Sequence, residues 1–129
     1  MFSLLSTIRL SDTDAAGRVF FASLLRVAHD AFEAYMESIG QPLARFLRGD
    51  ACSIAIVHAE ADYRRPIHCG EKLEIRIGVE RVGHTSFVIT YNFLRGGEEV
   101  ATARTVHVAL DPQGTKCSLP DDLRHALAA

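Results

Sequence analysis

Near Ser53 the apolar residues of this chain switch from helical to strand spacing, and that switch leaves few ways to fold it. Before it, Phe21, Leu24, Leu25, Ala28, Phe32, Tyr35, Met36 and Ile39 recur mostly at steps of three and four, with Arg26, Asp30, Glu33 and Glu37 on the other side. This spacing predicts one amphipathic helix of about five turns. Gly40 and Pro42 supply a stop, and a second short helix is expected over Leu43 to Arg48. After the switch, Leu73, Ile75, Ile77 and Val79 alternate with polar residues, and Phe87, Ile89, Tyr91 and Phe93 repeat the pattern. A period of two is the mark of a strand with one buried face.

Arg95-Gly96-Gly97-Glu98 is a hairpin signal between the second of these strands and a third over Val100 to Leu110. Ser53 to Tyr63 reads as a further strand, Leu4 to Leu10 as a weaker one, and residues 120 to 128 as a short terminal helix. The expected order is strand, long helix, then four strands in a meander-like run. No linker or repeat interrupts the 129 residues, so residues 1–129 are expected to form one domain. The fold class that follows is α+β, one long helix wrapped by an antiparallel sheet of about five strands. One helix cannot cover both faces of such a sheet, so a homo-oligomer is expected, a tetramer ahead of a dimer.

Composition removes several functions. Lys and Arg total 14 against 16 Asp and Glu, a net charge of -2, which leaves no basic excess for nucleic acid. The first ten residues lack a basic region and are broken by Ser6, Thr7 and Arg9, so they do not read as a signal peptide. No stretch approaches the ~20 apolar residues of a membrane span, and a soluble cytoplasmic protein is expected. Cys52, Cys69 and Cys117 are an odd number without CxxC spacing, expected as reduced and mostly buried thiols. His29, His58, His68, His84, His107 and His125 contain no H-x-x-x-H or H-E-x-x-H, so no metal and no cofactor is expected.

The chemistry-bearing stretch is Asp12-Thr13-Asp14-Ala15-Ala16-Gly17, followed by Val19-Phe20-Phe21 at the expected helix start. An acid beside a helix N-terminus sits next to unpaired N–H groups and the positive end of the dipole. A carbonyl oxygen placed there is polarised, and a carboxylate on the other side can attack its carbon or deprotonate a water. Taken alone, Asp-x-Asp before a helix is more often turn and capping chemistry. No G-x-S-x-G accompanies the serines, so nucleophile-elbow machinery is not indicated.

Asp12-Thr13-Asp14-Ala15-Ala16-Gly17 with Val19-Phe20-Phe21 resembles the signature of hotdog-fold thioesterases of the 4-hydroxybenzoyl-CoA type. The order of elements, the helix length and the segment Leu73 to Phe87 extend that resemblance over nearly the whole chain. Ile56-Val57-His58-Ala59, Asp62-Tyr63, Pro66-Ile67-His68-Cys69-Gly70 and His29-Asp30-Ala31-Phe32-Glu33 are most similar to the branch that hydrolyses 1,4-dihydroxy-2-naphthoyl-CoA in quinone biosynthesis. The resemblance implies a hotdog fold and release of a free aromatic acid and CoA. Ser23 and Leu24 stand where benzoyl-specific members carry Asn and Tyr, which argues against benzoyl specificity.

Carried over, Asp14 is the catalytic carboxylate, Asp12 a turn residue or helper, and the backbone N–H of Phe21 the group that polarises the thioester carbonyl. Whether Asp14 acts as nucleophile or as general base stays open. Gly17 shapes the substrate loop. His58, on the parity of Ile54 and Ile56, is either a buried core histidine or a hydrogen-bond partner for a ring hydroxyl or the Asp14 region. His29 and Glu33 either bond each other or reach the acyl pocket, and His68 reads as a turn residue. For the CoA phosphates the candidates are Arg64 and Arg65, and the turn from Arg81 through His84, Thr85 and Ser86. Two other functions compete: a thioesterase for short-chain or other acyl groups, and a noncatalytic acyl-CoA-binding module. A hotdog dehydratase would need a histidine before the helix, and none precedes Asp14.

Overall fold

The computed structural model describes residues 2–47 and 52–129. Five strands form one antiparallel sheet: β1 (Phe2–Thr7), β2 (Ser53–Tyr63), β3 (Lys72–Val82), β4 (Ser86–Arg95) and β5 (Glu98–Leu110). Among the described residues three α-helices accompany them, α1 (Ser23–Ser38), α2 (Ala44–Leu47) and α3 (Asp121–Ala128). The expected α+β architecture is therefore present, with α1 as its one long helix. Arg48, the expected end of the second helix, lies outside the described residues.

The spatial order of the strands is β1-β3-β4-β5-β2. Only β3, β4 and β5 form the expected meander; β2 pairs with β5 at the far edge, from Ser53 opposite Leu110 to Tyr63 opposite Ala101. Residues 64–71 must then carry the chain across the end of the β4–β5 hairpin to reach β3. Arg64 and Arg65 N–H groups donate to Val100 O, and the Arg95 guanidinium donates to Pro66 O and the Glu71 carboxylate. This crossing segment becomes the platform for the candidate site.

Leu24, Val27, Ala28, Ala31, Phe32, Tyr35 and Met36 form the buried stripe of α1. They join a core with Leu73, Ile75 and Ile77 of β3, and with Phe87, Ile89, Tyr91 and Phe93 of β4, as the period-two pattern requires. Leu123 and Leu127 of α3 join the same core. Phe32, Phe87 and His107 pack as one cluster of rings, with His107 4.4 and 4.7 Å from the other two centroids. Truncating a ring buried like Phe87 to Ala costs about 3–5 kcal/mol. At the C-terminal end of α1, Gly40 takes a φ of +76°, which lets the Gln41 N–H reach Met36 O at 2.8 Å and ends the helix.

Four local expectations are corrected. The first strand ends at Thr7 rather than Leu10, because the Asp12 carboxylate captures the Arg9 N–H at 2.9 Å and closes a short 3-10 turn over Leu10–Asp12. Phe21 is not on the buried stripe of α1; it precedes the helix and is 69% exposed. Cys52 is buried, but Cys69 is exposed and Cys117 only half-buried. His58 is not in the core: the register of β2 against β5 slips between Ile56 and His58, so one extra residue turns His58 away from the face that Ile56 occupies. It is exposed, and its Nε2 lies 3.0 Å from Glu60.

Candidate active site

Asp12 to Phe20 fold back as a short antiparallel ribbon, with Thr13 opposite Val19 and the Phe20 N–H on Asp12 O at 2.8 Å. Gly17 makes the turn possible through a φ of +79°, which non-glycine residues rarely adopt. The ribbon is fixed to the crossing segment by Val19 N–H on Ile67 O at 2.7 Å and Cys69 N–H on Gly17 O at 3.1 Å. Underneath, the Glu71 carboxylate accepts from the His68 N–H and from Arg95. Burial alone would raise the Glu71 pKa, but these donors outweigh it and hold the carboxyl below its usual range. His68 is thus the turn residue expected of it, acting through its backbone.

The two aspartates take different roles. Asp12 is 3% exposed, with its carboxylate held by the Arg9 N–H and the Arg26 guanidinium. Burial pushes its pKa up, and the Arg9 and Arg26 bonds more than reverse that, leaving it lowered. Asp12 therefore ties the ribbon to α1 as a fixed anion. Asp14 is exposed. Its Oδ1 accepts from Ala16 N–H at 2.9 Å and Arg18 N–H at 3.2 Å, and among the described residues Oδ2 accepts nothing. One oxygen is anchored and the other is presented to solvent, an arrangement suited to a base or a nucleophile.

The start of α1 lies at the end of the same ribbon. Ala22 caps the helix without a side-chain hydrogen bond, and among the described residues the Phe21 N–H donates to no acceptor. The Phe21 carbonyl is held instead by the Tyr63 hydroxyl, which reaches over from the end of β2. A free N–H at an uncapped helix start is a ready electrostatic site for a carbonyl oxygen gaining negative charge. Tyr63 was absent from the sequence-derived candidates, since nothing in β2's alternation singles it out.

Two clefts adjoin this ribbon. Arg18, Arg64 and Arg65 open onto the first, about 290 Å³, with Val19, Tyr63, Pro66 and Ile67. Arg64 and Arg65 are paired to Glu99 and Glu98 at 3.2 and 3.4 Å, whereas the Arg18 guanidinium makes no ion pair among the described residues. The second is a groove between α1 and β2 with two lobes that share His29 and Ile56. Its larger lobe, about 310 Å³, begins at Leu25 and Arg26, one turn beyond Phe21, and is mainly apolar. His29 thus faces the groove, and its expected partner Glu33 is not bonded to it; the i,i+4 pair of this helix is Arg26–Asp30.

The remaining candidates are not brought to Asp14 within one chain. The Arg81–Ser86 turn lies at the opposite end of β3, an eleven-residue strand about 35 Å long. There His84 bonds Ser118 at 2.8 Å, Thr85 O accepts from Ala109 N–H, and Ser86 O accepts from Gly83 N–H. His58 faces away from the groove. A larger cavity, about 620 Å³, lies between the end of α1, β3 and α3, and no part of the Asp14 ribbon lines it. Size alone would choose that cavity; it holds neither the free carboxylate nor the open helix start, so the ribbon is the stronger candidate.

Residues 8–127 match the model of the thioesterase-like superfamily. The chain belongs to the thioesterase-like superfamily. Among relatives of this thioesterase-like chain is the 1,4-dihydroxy-2-naphthoyl-CoA hydrolase of Synechococcus elongatus, 42% identical over 120 residues and covering 91% of this chain and 88% of that protein. The hydrolase of the same name from Rippkaea orientalis is 46% identical over 110 residues, 83% of this chain and 80% of that one. The crystal structure of a 1,4-dihydroxy-2-naphthoyl-CoA thioesterase from Synechocystis superposes with a TM-score of 0.92 at 28% identity, covering 98% and 95% of the two chains. The hotdog fold expected of this thioesterase-like chain is thus the fold it has.

Proposed function

We propose that this protein hydrolyses an aromatic acyl-CoA, 1,4-dihydroxy-2-naphthoyl-CoA, to the free acid and CoA. The observation that carries the reading is the pairing on one ribbon of Asp14, with one free carboxylate oxygen, and the unpaired Phe21 N–H at an uncapped helix start. The Phe21 N–H polarises the thioester carbonyl, and Asp14 attacks its carbon or deprotonates the attacking water. Thiolate is a good leaving group, so its departure needs little help from a general acid. The groove beginning at Leu25 and Arg26 receives the acyl group, and its larger lobe matches the lower end of the roughly 300–1,000 Å³ of small-ligand sites. Arg18, Arg64 and Arg65 receive phosphates of CoA. The names and 35–46% identities of the relatives support the substrate.

Thiol release measured on dihydroxynaphthoyl-, hydroxybenzoyl- and short aliphatic acyl-CoAs tests the reading. The expected result is the highest kcat/KM on the dihydroxynaphthoyl thioester; turnover of aliphatic chains alone would contradict it.

The active form is a homo-oligomer in this reading. β2 is a long edge strand with one side unpaired, and Ile56, Val57 and Tyr63 on it are between 44% and 61% exposed. A second copy pairing β2 against β2 would cover that edge with two-fold symmetry. A tetramer of two such pairs would also bring the remote Arg81, His84, Thr85 and Ser86 turn of another copy within reach of a bound nucleotide. Val57→Lys, which sets like charges near the symmetry axis, is expected to shift the sedimenting mass toward the monomer and to lower thiol release at least about tenfold. Unchanged mass and rate would contradict the pairing.

No helix among the described residues is long and apolar enough to cross a membrane, which is compatible with the cytoplasmic location that belongs to this reading.

A further inference from the structure

The floor of the groove carries a buried polar chain that the hydrolytic chemistry does not use. Tyr91, Thr105 and His107 stand on the core face of β4 and β5, each 5% exposed or less. Tyr91 Oη lies 2.9 Å from Thr105 Oγ1, which lies 2.7 Å from His107 Nε2. His107 Nδ1 is buried and has no partner among the described residues.

Counting protons shows what this leaves over. The imidazole is neutral near pH 7: burial first, and His29 second, push its pKa down to about 4. If Tyr91 donates to Thr105 and Thr105 donates to Nε2, then Nδ1 carries a proton with no acceptor. If instead Nε2 donates to Thr105, whose oxygen can also accept from Tyr91, Nδ1 is a bare acceptor and one hydroxyl proton, of Thr105 or of Tyr91, has no acceptor among the described residues. Either way at least one buried polar group is unpaired, at a cost of about 1–3 kcal/mol. Such groups are rare in folded proteins and call for a reason. The reason is their position: Tyr91 and Thr105 line the larger lobe of the groove, and His107 lines the smaller one. Leu25, Ile56 and Ala59 make the apolar wall of that lobe, while Arg26, paired to Asp12 and Asp30, and the exposed His29 stand along its α1 side. An apolar slot with one incompletely satisfied polar chain in its floor suits a flat aromatic ring bearing a hydroxyl.

We propose that Thr105 and His107 are specificity residues that read a ring hydroxyl of the acyl group, setting a preference for hydroxylated over plain aromatic acyl thioesters. This deepens the proposed function and rests on it. A site built to hydrogen-bond a substrate hydroxyl discriminates strongly against the analogue lacking it, because the protein groups are then left unpaired.

The test compares thiol release from 1,4-dihydroxy-2-naphthoyl-CoA and from 2-naphthoyl-CoA by the wild type, Thr105→Val and Thr105→Ser, with folding checked by circular dichroism. The wild type is expected to favour the hydroxylated substrate at least about tenfold in kcat/KM. Thr105→Val is expected to bring that ratio below about threefold, and Thr105→Ser, which restores the hydroxyl, to recover it. A wild-type ratio below threefold, or an unchanged ratio in Thr105→Val, overturns this inference while leaving the thioesterase reading intact. Failure of the wild type to release thiol from either naphthoyl substrate overturns both.

Discussion

Asp14→Asn will lower kcat for aromatic acyl-CoA hydrolysis by at least about a hundredfold while leaving the protein folded. The size follows from what the change removes: a positioned carboxylate acting as base or nucleophile contributes about two to four orders of magnitude. That the protein stays folded follows from how Asp14 is held. Its Oδ1 accepts from the Ala16 and Arg18 N–H groups, and an asparagine carbonyl oxygen can accept from both. The side chain is exposed, so no cavity is opened. Thiol release and thermal unfolding of the same preparation check both halves. A rate within threefold of the wild type would exclude Asp14 from the chemistry. The corresponding change at Asp12 is a different experiment, since Asp12 is buried against Arg26 and its loss would loosen the ribbon from α1.

The second large effect is on stability, and it belongs to His107. Its pKa is held at about 4 in the folded chain, against 6.5 when free. Between those values the unfolded chain binds a proton at this residue that the folded chain does not. Lowering the pH from 6.5 to about 4 therefore removes stability, on the order of 3 kcal/mol for this group. The contribution is complete above pH 6.5 and gone below about 4. Asp12, Glu71 and Asp122, whose folded pKa values are lowered, act in the same direction but at more acid pH, because their stability is lost only as the pH falls through the carboxylate range. Urea unfolding at pH 7 and pH 4.5 separates them. The wild type is expected to lose about 2–3 kcal/mol between the two, and His107→Phe, which keeps an aromatic ring against Phe32 and Phe87, to lose much less. Equal losses in the two proteins would show that His107 titrates normally in the folded state.

Periodicity carries far in this chain. The α1 stripe, β3, β4 and the Gly96-Gly97 hairpin are all where the spacing of apolar residues places them, because each buries one face against a single core. What the spacing could not carry is non-local. Nothing in Ser53 to Tyr63 says that its partner is β5 and not β3, since edge pairing is decided by where residues 64–71 cross. One bulged residue in β2 is enough to turn His58 out of the core. The histidine that is buried is His107, and its strand parity with Ala101, Ala103, Thr105 and Ala109 was a readable signal for it. At the site, Asp14 and Gly17 were legible as a motif, whereas the Arg18 cleft and the Tyr63 bond to the Phe21 carbonyl arise only when the ribbon, the crossing segment and the end of β2 meet.

The most direct measurement is a crystal structure of Asp14→Asn with uncleaved 1,4-dihydroxy-2-naphthoyl-CoA bound. The thioester carbonyl oxygen is expected within hydrogen-bond distance of the Phe21 N–H, with the naphthoyl ring in the groove between α1 and β2. A thioester seated in the cavity between the end of α1, β3 and α3, remote from residue 14, would contradict the account.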